Sequence, residues 1–431
     1  MNFLKYSLNI NFWKFFPLFI FIFNPKIDII SIPGFWQGVR IDDIIIFFYL
    51  IYYFFAHKFK IIPNLVNKEI VGYNWIVFFP YIILSTIIGK LFAFEPQLIV
   101  LARYLEYIAL IIIINQIEPS KHKILLLFKI YILLNFIVVL LQYFELIGGF
   151  TSKGHCIKDQ YAVNYYCFDR EDIKSICLFN CNLDFVKNYV QPGGFLKNRS
   201  PGITGGPWEL TFNLSLCIFA LAKFENNWKK LLPYFIMVVL MMLISQSRGI
   251  IFGFLIASLF ISNNYKKTFY LFLSIIFFIL IIYFSNLFNF KNIINEKFFI
   301  NYFELFEIIL GALTNNLPPE SRFDGTGLYS MWIRAEGWAE AIENMKSSII
   351  LFLFGSGTYT IYTESLIVRI ITSFGIVGTL VVLYLARSLP FILIIFLLIT
   401  GITIDMFINF KIFLFTLLFL IVYKKNIRLM N

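Results

Sequence analysis

Residues 124–146 read ILLLFKIYILLNFIVVLLQYFEL. A helical run of this length crosses about 30 Å of hydrocarbon and pairs its backbone polar groups internally, so it reads as a membrane span. The same pattern predicts twelve spans, near residues 11–24, 41–56, 72–90, 97–115, 124–146, 207–222, 231–246, 248–262, 267–286, 363–386, 389–404 and 406–423. Composition agrees. Of 431 residues 59% are hydrophobic, 54 are Phe and only 14% are charged, too little polar surface to coat a water-soluble globule of this size. The phenylalanines read as lipid-facing bulk. The expected fold is an all-α integral membrane protein, a polytopic bundle of about 12 transmembrane helices with two long extracytoplasmic loops.

The first apolar run has the length of a signal peptide, but Asn24-Pro25-Lys26 follows where small residues would mark cleavage, so it is expected to remain as an anchor. With the N-terminus in the cytoplasm, the inner side receives Lys5, Lys14, Lys58, Lys60, Lys68, Lys121, Lys123, Lys223, Lys229, Lys230, Lys266, Lys267, Arg387, Lys424, Lys425 and Arg428. The short outer loops receive only Lys26, Arg40, Lys90 and Arg248. This is the positive-inside pattern, and it places both chain ends in the cytoplasm. It also accounts for the net charge of +11 through anionic head groups, with no nucleic-acid partner.

The chain divides into N-terminal transmembrane helices (1–146), a first long extracytoplasmic loop (147–206), central transmembrane helices (207–286), a second long loop with an interfacial helix (287–362) and C-terminal transmembrane helices (363–431). The first loop carries Cys156, Cys167, Cys177 and Cys181, four thiols that in an oxidising compartment point to two disulfides of undetermined connectivity. Zinc is the rival, disfavoured because His155 stands without a partner at ligand spacing. Cys217 falls within a span and reads as a small apolar residue. In the second loop, GLYSMWIRAEGWAEAIENMKSS (327–348) brings Trp332, Ala335, Trp338 or Ala339, and Ile342 onto one stripe, the pattern of a helix with tryptophans at head-group depth.

Charges near the membrane plane tend to face protein or a polar cavity. Glu209, Arg248, Glu364, Arg369 and Asp405 all fall on the outer side, whereas Arg103 and Glu106 read as a self-neutralising pair. Lys411 fits either an ion pair or the same cavity. The stretch KNRSPGITGGPWELTF (197–212) places Arg199 and three glycines before Pro207 at a helix start, a combination suited to holding an anion. A flexible loop with an interfacial arginine would show the same residues. There is no GxxxxGK[ST] and no HExxH, and three histidines offer no Ser/His/Asp set.

RSPGITGGPWELTFNLSL (199–216), SQSRGIIFGFLIA (245–257), RAEGWAEAI (334–342), LFGSGTYT (353–360) and TESLIVRIITSFGIVGTLVVLYL (363–385) together resemble the successive motifs of the Wzy-type O-antigen polymerase and O-antigen ligase superfamily. GVRIDDIIIFFYL (38–50), entering the second span, is similar to that family as well. The resemblance implies a membrane glycosyltransferase that moves glycan from an undecaprenyl-diphosphate carrier to an acceptor on the outer face of the inner membrane, with no cofactor and no metal. Its partners would be the lipid-linked donor and acceptor, membrane lipids and a chain-length regulator protein. Arg199, Arg248 and Arg334 correspond to the family's arginines, the first and last holding diphosphate, and Arg369 joins them as a substrate-binding candidate. Glu364-Ser365 stands where the ligases have His followed by Asn or Ser, which looks more like the polymerase branch. Glu364 is the first candidate for general base and Glu209 the second, the competing reading being a carboxylate paired with an arginine such as Arg369. A ligase acting on lipid A core, or a flippase or transporter of the same lipid-linked units, remains the alternative.

Overall fold

The computed structural model describes residues 15–24, 28–30, 39–56, 72–92, 94, 98–144, 146–147, 191–192, 198–225, 227–261, 297–323, 328–358, 365–402, 404–405 and 409–424. It is mostly helical. In chain order the helices are α1 (15–23), α2 (Ile41–Ala56), α3 (Tyr73–Leu91), α4 (Leu98–Ile117), α5 (Lys121–Tyr143), α6 (Pro207–Phe224), α7 (Trp228–Ser245), α8 (Arg248–Ser258), α9 (Lys297–Thr314), α10 (Tyr329–Lys346), α11 (Ile349–Phe354), α12 (Leu366–Ala386), α13 (Phe391–Thr400) and α14 (Phe410–Lys424). Among the described residues there are also two antiparallel pairs of short strands: β1 (Asp28–Ile30) with β2 (Val39–Arg40), and β3 (Gln191–Pro192) with β4 (Asn198–Arg199).

Among the described residues, four helices are long and apolar enough to cross a membrane, at Asn74–Leu91, Val100–Ile117, Lys121–Tyr143 and Leu366–Ala386; α8, α13 and α14 are shorter apolar helices. The predicted ninth span, 267–286, lies outside the described residues. On α5 the outward stripe is itself apolar, with Leu126, Ile130, Leu133, Leu134 and Ile137 exposed, while Phe128, Tyr131, Asn135, Val139 and Gln142 face inward. Water would not favour such a surface; hydrocarbon does.

Helix α6 is the centre of the bundle. Every side chain from Glu209 to Ala222 is buried, because α5, α7, α8 and α14 pack around it. Its polar members turn back on their own helix: Thr211 Oγ1 donates to Pro207 O at 2.8 Å and Ser215 Oγ to Thr211 O at 2.8 Å. Pro207 opens the helix, where its missing N–H costs nothing. Side-chain caps start others, with Ser365 Oγ accepting from Val368 N on α12 and Asn227 Oδ1 from Lys229 N on α7.

The sequence places Trp332 and Trp338 at head-group depth, and here the structure differs. Both are buried, with Ala335 and Met331, in a second core formed with Ile308, Ala312 and Phe323 and with Val368 of α12. The stripe is covered by α9, an amphipathic partner from the same predicted loop. The indole N–H of Trp332 donates to Pro318 O at 2.8 Å, leaving that polar atom no need of water.

Candidate functional site

The loop of residues 200–206 is folded into protein. Gln142 of α5 accepts from Gly202 N at 2.8 Å and donates to Gly202 O at 3.0 Å, and Asn135 Oδ1 accepts from Ile203 N at 3.0 Å. Thr204 Oγ1 lies within 2.7 Å of Pro201 O and 2.9 Å of Gly206 O. In the sequence Gly202 is one of three glycines in a stretch suited to holding an anion; the structure gives this glycine another cause. Its φ is +62°, and a Cβ there would stand 2.4 Å from Asn135 Oδ1. Gly202→Ala should therefore lower stability by about 1 to 3 kcal/mol, read as a fall in the melting temperature of the purified protein.

Arg199, on β4, donates from Nε to Ser245 O at 3.1 Å, placing its positive charge at the C-terminus of α7. The hydroxyls of Ser245 and Thr211 lie 2.6 Å apart, so the end of α7 is held against the second turn of α6. Gln246 then takes a left-handed conformation and the chain re-enters a helix at Arg248, which is exposed. Arg199, Arg248 and Glu209 are thus gathered where β4, α6, α7 and α8 meet.

A segment at the start of α14 ties this corner to α12. Glu209 is fully buried and its Oε2 accepts from Asn409 Nδ2 at 2.7 Å. Lys411, also buried, donates to Ile203 O at 3.4 Å, so it serves the 200–206 loop. Just before them, Ile404 O accepts from Leu366 N at 3.1 Å, Ser365 Oγ donates to Gly401 O at 3.1 Å, and Asp405 forms a buried ion pair with Arg369. Arg369 therefore answers to Asp405. Arg334 lies half-buried on α10, which packs on α12 beside Val368. Glu364, Cys156, Cys167, Cys177 and Cys181 lie outside the described residues; Cys217 is buried and unbridged.

The LFGSGTYT motif and the glycine-ended part of α12 also meet. Gly375 has φ +63° and breaks α12, freeing carbonyls ahead of it. Ser356 N donates to Thr372 O at 3.1 Å, Gly357 N to Ser373 O at 2.7 Å, Ser85 Oγ to Ser373 O at 3.0 Å and Tyr81 Oη to Phe374 O at 2.8 Å. A broken helix at membrane depth is tolerable when protein supplies such partners.

The Arg103–Glu106 pair belongs to a larger charged cluster. Arg103 and Glu106 do pair, but Arg103 Nη1 also reaches Asp43 Oδ1 at 3.1 Å, and Arg40 Nε lies 3.9 Å from both Asp42 and Asp43. Asp42, Asp43 and Glu106 offer oxygens within 4.8 Å of one another, the one such trio among the described residues. Two guanidinium groups stand among these three carboxylates, so most of the charge that would draw a cation is already answered within the protein. The available signal was GVRIDD itself, whose charges open the apolar helix α2 and need partners from another helix.

Comparison with protein-family models, with curated proteins and with solved structures gave no match.

Proposed function

We propose that this chain is a polymerase of undecaprenyl-diphosphate-linked repeat units, acting on the outer face of the inner membrane with about twelve spans and both ends in the cytoplasm. The supporting observation is convergence: Arg199 and Arg248, drawn from two motifs, flank the end of α7, while Asn409 holds Glu209 of α6 and Asp405 holds Arg369 of a third motif, with Lys411 bonded to the loop between Arg199 and Glu209. Arg334 approaches the same end on α10. In this reading the acceptor sugar hydroxyl attacks the anomeric carbon of the growing chain, its proton passes to a carboxylate, and the bond to the diphosphate breaks. Guanidinium groups stabilise the departing diphosphate. Exposed Arg248 is the group best placed to meet it. Glu209, buried and bonded to Asn409, is better suited to hold the loop than to meet a hydroxyl, so the base is assigned to Glu364.

Purified protein in proteoliposomes, given lipid-linked repeat units, should lengthen the glycan on undecaprenyl diphosphate. Glu364→Gln should cut that rate by about a hundredfold to ten-thousandfold. Glu209→Gln should lose far less, since an amide oxygen can still accept from Asn409. Equal losses would return Glu209 to the base role.

The break at Gly375 favours a second reading, a transporter of the same units, because interrupted helices in the membrane recur in secondary transporters. Repeat units that change sides without growing would establish it. Product appearing on lipid A core would indicate the ligase branch.

A further inference from the structure

The segment around α11, expected from sequence to lie in an outer loop, is wedged between two membrane-length helices. Its hydrogen bonds fix its depth. Thr372 and Ser373 lie six and seven residues beyond Leu366, so Ser356 and Gly357 dock about 9 to 11 Å along α12 from its start. On the other side Thr358 N donates to Thr86 Oγ1 at 3.2 Å, and Thr86 lies five residues before the end of α3, about 7 to 8 Å in. Gly357 admits this approach: its φ is +72°, and a Cβ would stand 2.2 Å from the Thr86 backbone. Residues 349–358 therefore descend beside both spans and do not float above them.

What surrounds α3 and α12 at that depth must also surround α11. Its outward side chains match hydrocarbon: Ile349, Ile350, Phe352 and Leu353 are all exposed, as are Ile87 and Leu91 on neighbouring α3. Helix α9 continues the pattern. It buries Ile308 and Ala312 against α10, yet it exposes Phe303 at 80%, Phe306 at 61%, Leu310 at 44% and Leu313 at 48%. At 3.6 residues per turn these four fall within an arc of about 80°. A polar edge borders that arc, where Glu307 pairs with Arg322 at 2.9 Å and Glu304 lies 3.7 Å from the same guanidinium. An apolar face bounded by a charged edge is the form of a helix lying in the membrane surface.

We propose that α9 and α11 are membrane elements, α11 re-entrant and α9 in plane, whose exposed faces rest on lipid acyl chains of the leaflet at the candidate site's end of the bundle. This depends on the membrane reading alone and holds for polymerase, ligase or transporter. To test it, the full chain is reconstituted in nanodiscs of phosphatidylethanolamine and phosphatidylglycerol with p-benzoylphenylalanine in place of Phe303, Phe306 or Phe352, then irradiated and weighed by mass spectrometry. Leu133, exposed on α5, serves as the lipid-facing reference and Phe323, 1% exposed, as the interior one. Lipid adducts at all three positions, as abundant as at 133 and missing at 323, are the expected result. Absence of lipid adducts at the three positions while 133 labels would overturn the proposal, and so would cross-links between two copies of the chain in their place. Because these side chains are exposed, the substitutions leave packing intact, and a failure of glycan elongation has no bearing on the outcome.

Discussion

Arg369→Met is expected to cost about 3 to 5 kcal/mol of stability, because it takes the guanidinium away from the Asp405 carboxyl in a buried setting. Side-chain exposure at this pair is 4% and 8%, so water cannot replace the lost partner. The damage should spread, since the same stretch of chain holds Gly401 O and Ile404 O against the start of α12. Arg369→Met together with Asp405→Leu removes both charges and should recover most of the loss, as buried pairs often tolerate apolar replacement. Thermal unfolding of the detergent-solubilised protein measures both. A single variant that melts with the parent would show that the pair contributes little. The double variant also separates two roles: with folding restored, glycan elongation returns if Arg369 serves only Asp405 and stays absent if it also holds diphosphate.

Arg248→Ala should do the reverse, leaving the fold intact and removing function. Its side chain is exposed at the start of α8, where substitutions usually shift stability by no more than about 0.5 kcal/mol. Loss of a positioned charge at a developing anion commonly costs about a hundredfold to a thousandfold in rate. In cells dependent on this protein, single repeat units should accumulate on the carrier while protein abundance stays normal. Arg248→Lys should recover only part of the activity, because an ammonium lacks the two-pronged geometry of guanidinium. Chains of ordinary length in Arg248→Ala cells would remove this arginine from the proposed mechanism.

Helices were readable wherever an apolar run fixed them, as in α3, α4, α5 and α12, because a chain in hydrocarbon must pair its backbone within itself. Pro207 as the first residue of α6 and Cys217 as a buried apolar thiol followed from residue type. Partner choice was not readable. Arg103 looked complete with Glu106 three residues away, yet it also reaches Asp43 from another helix. Asp405 and Lys411 stood near one another in sequence without declared partners; one serves Arg369 and the other Ile203. Trp332 and Trp338 carried an apolar stripe that a lipid head-group layer or a neighbouring helix could equally cover.

The sequence alone determined that this is a helical chain with membrane-length apolar runs, and which residues carry its unusual charges, because both follow from local composition and the cost of unpaired backbone in lipid. Tertiary structure decided which charge neutralises which, that the glycines at 202 and 357 serve close internal packing, and that α11 sits down beside α3 and α12. Such pairings join residues far apart in the chain, and no periodicity within one helix specifies the face or depth at which another will meet it.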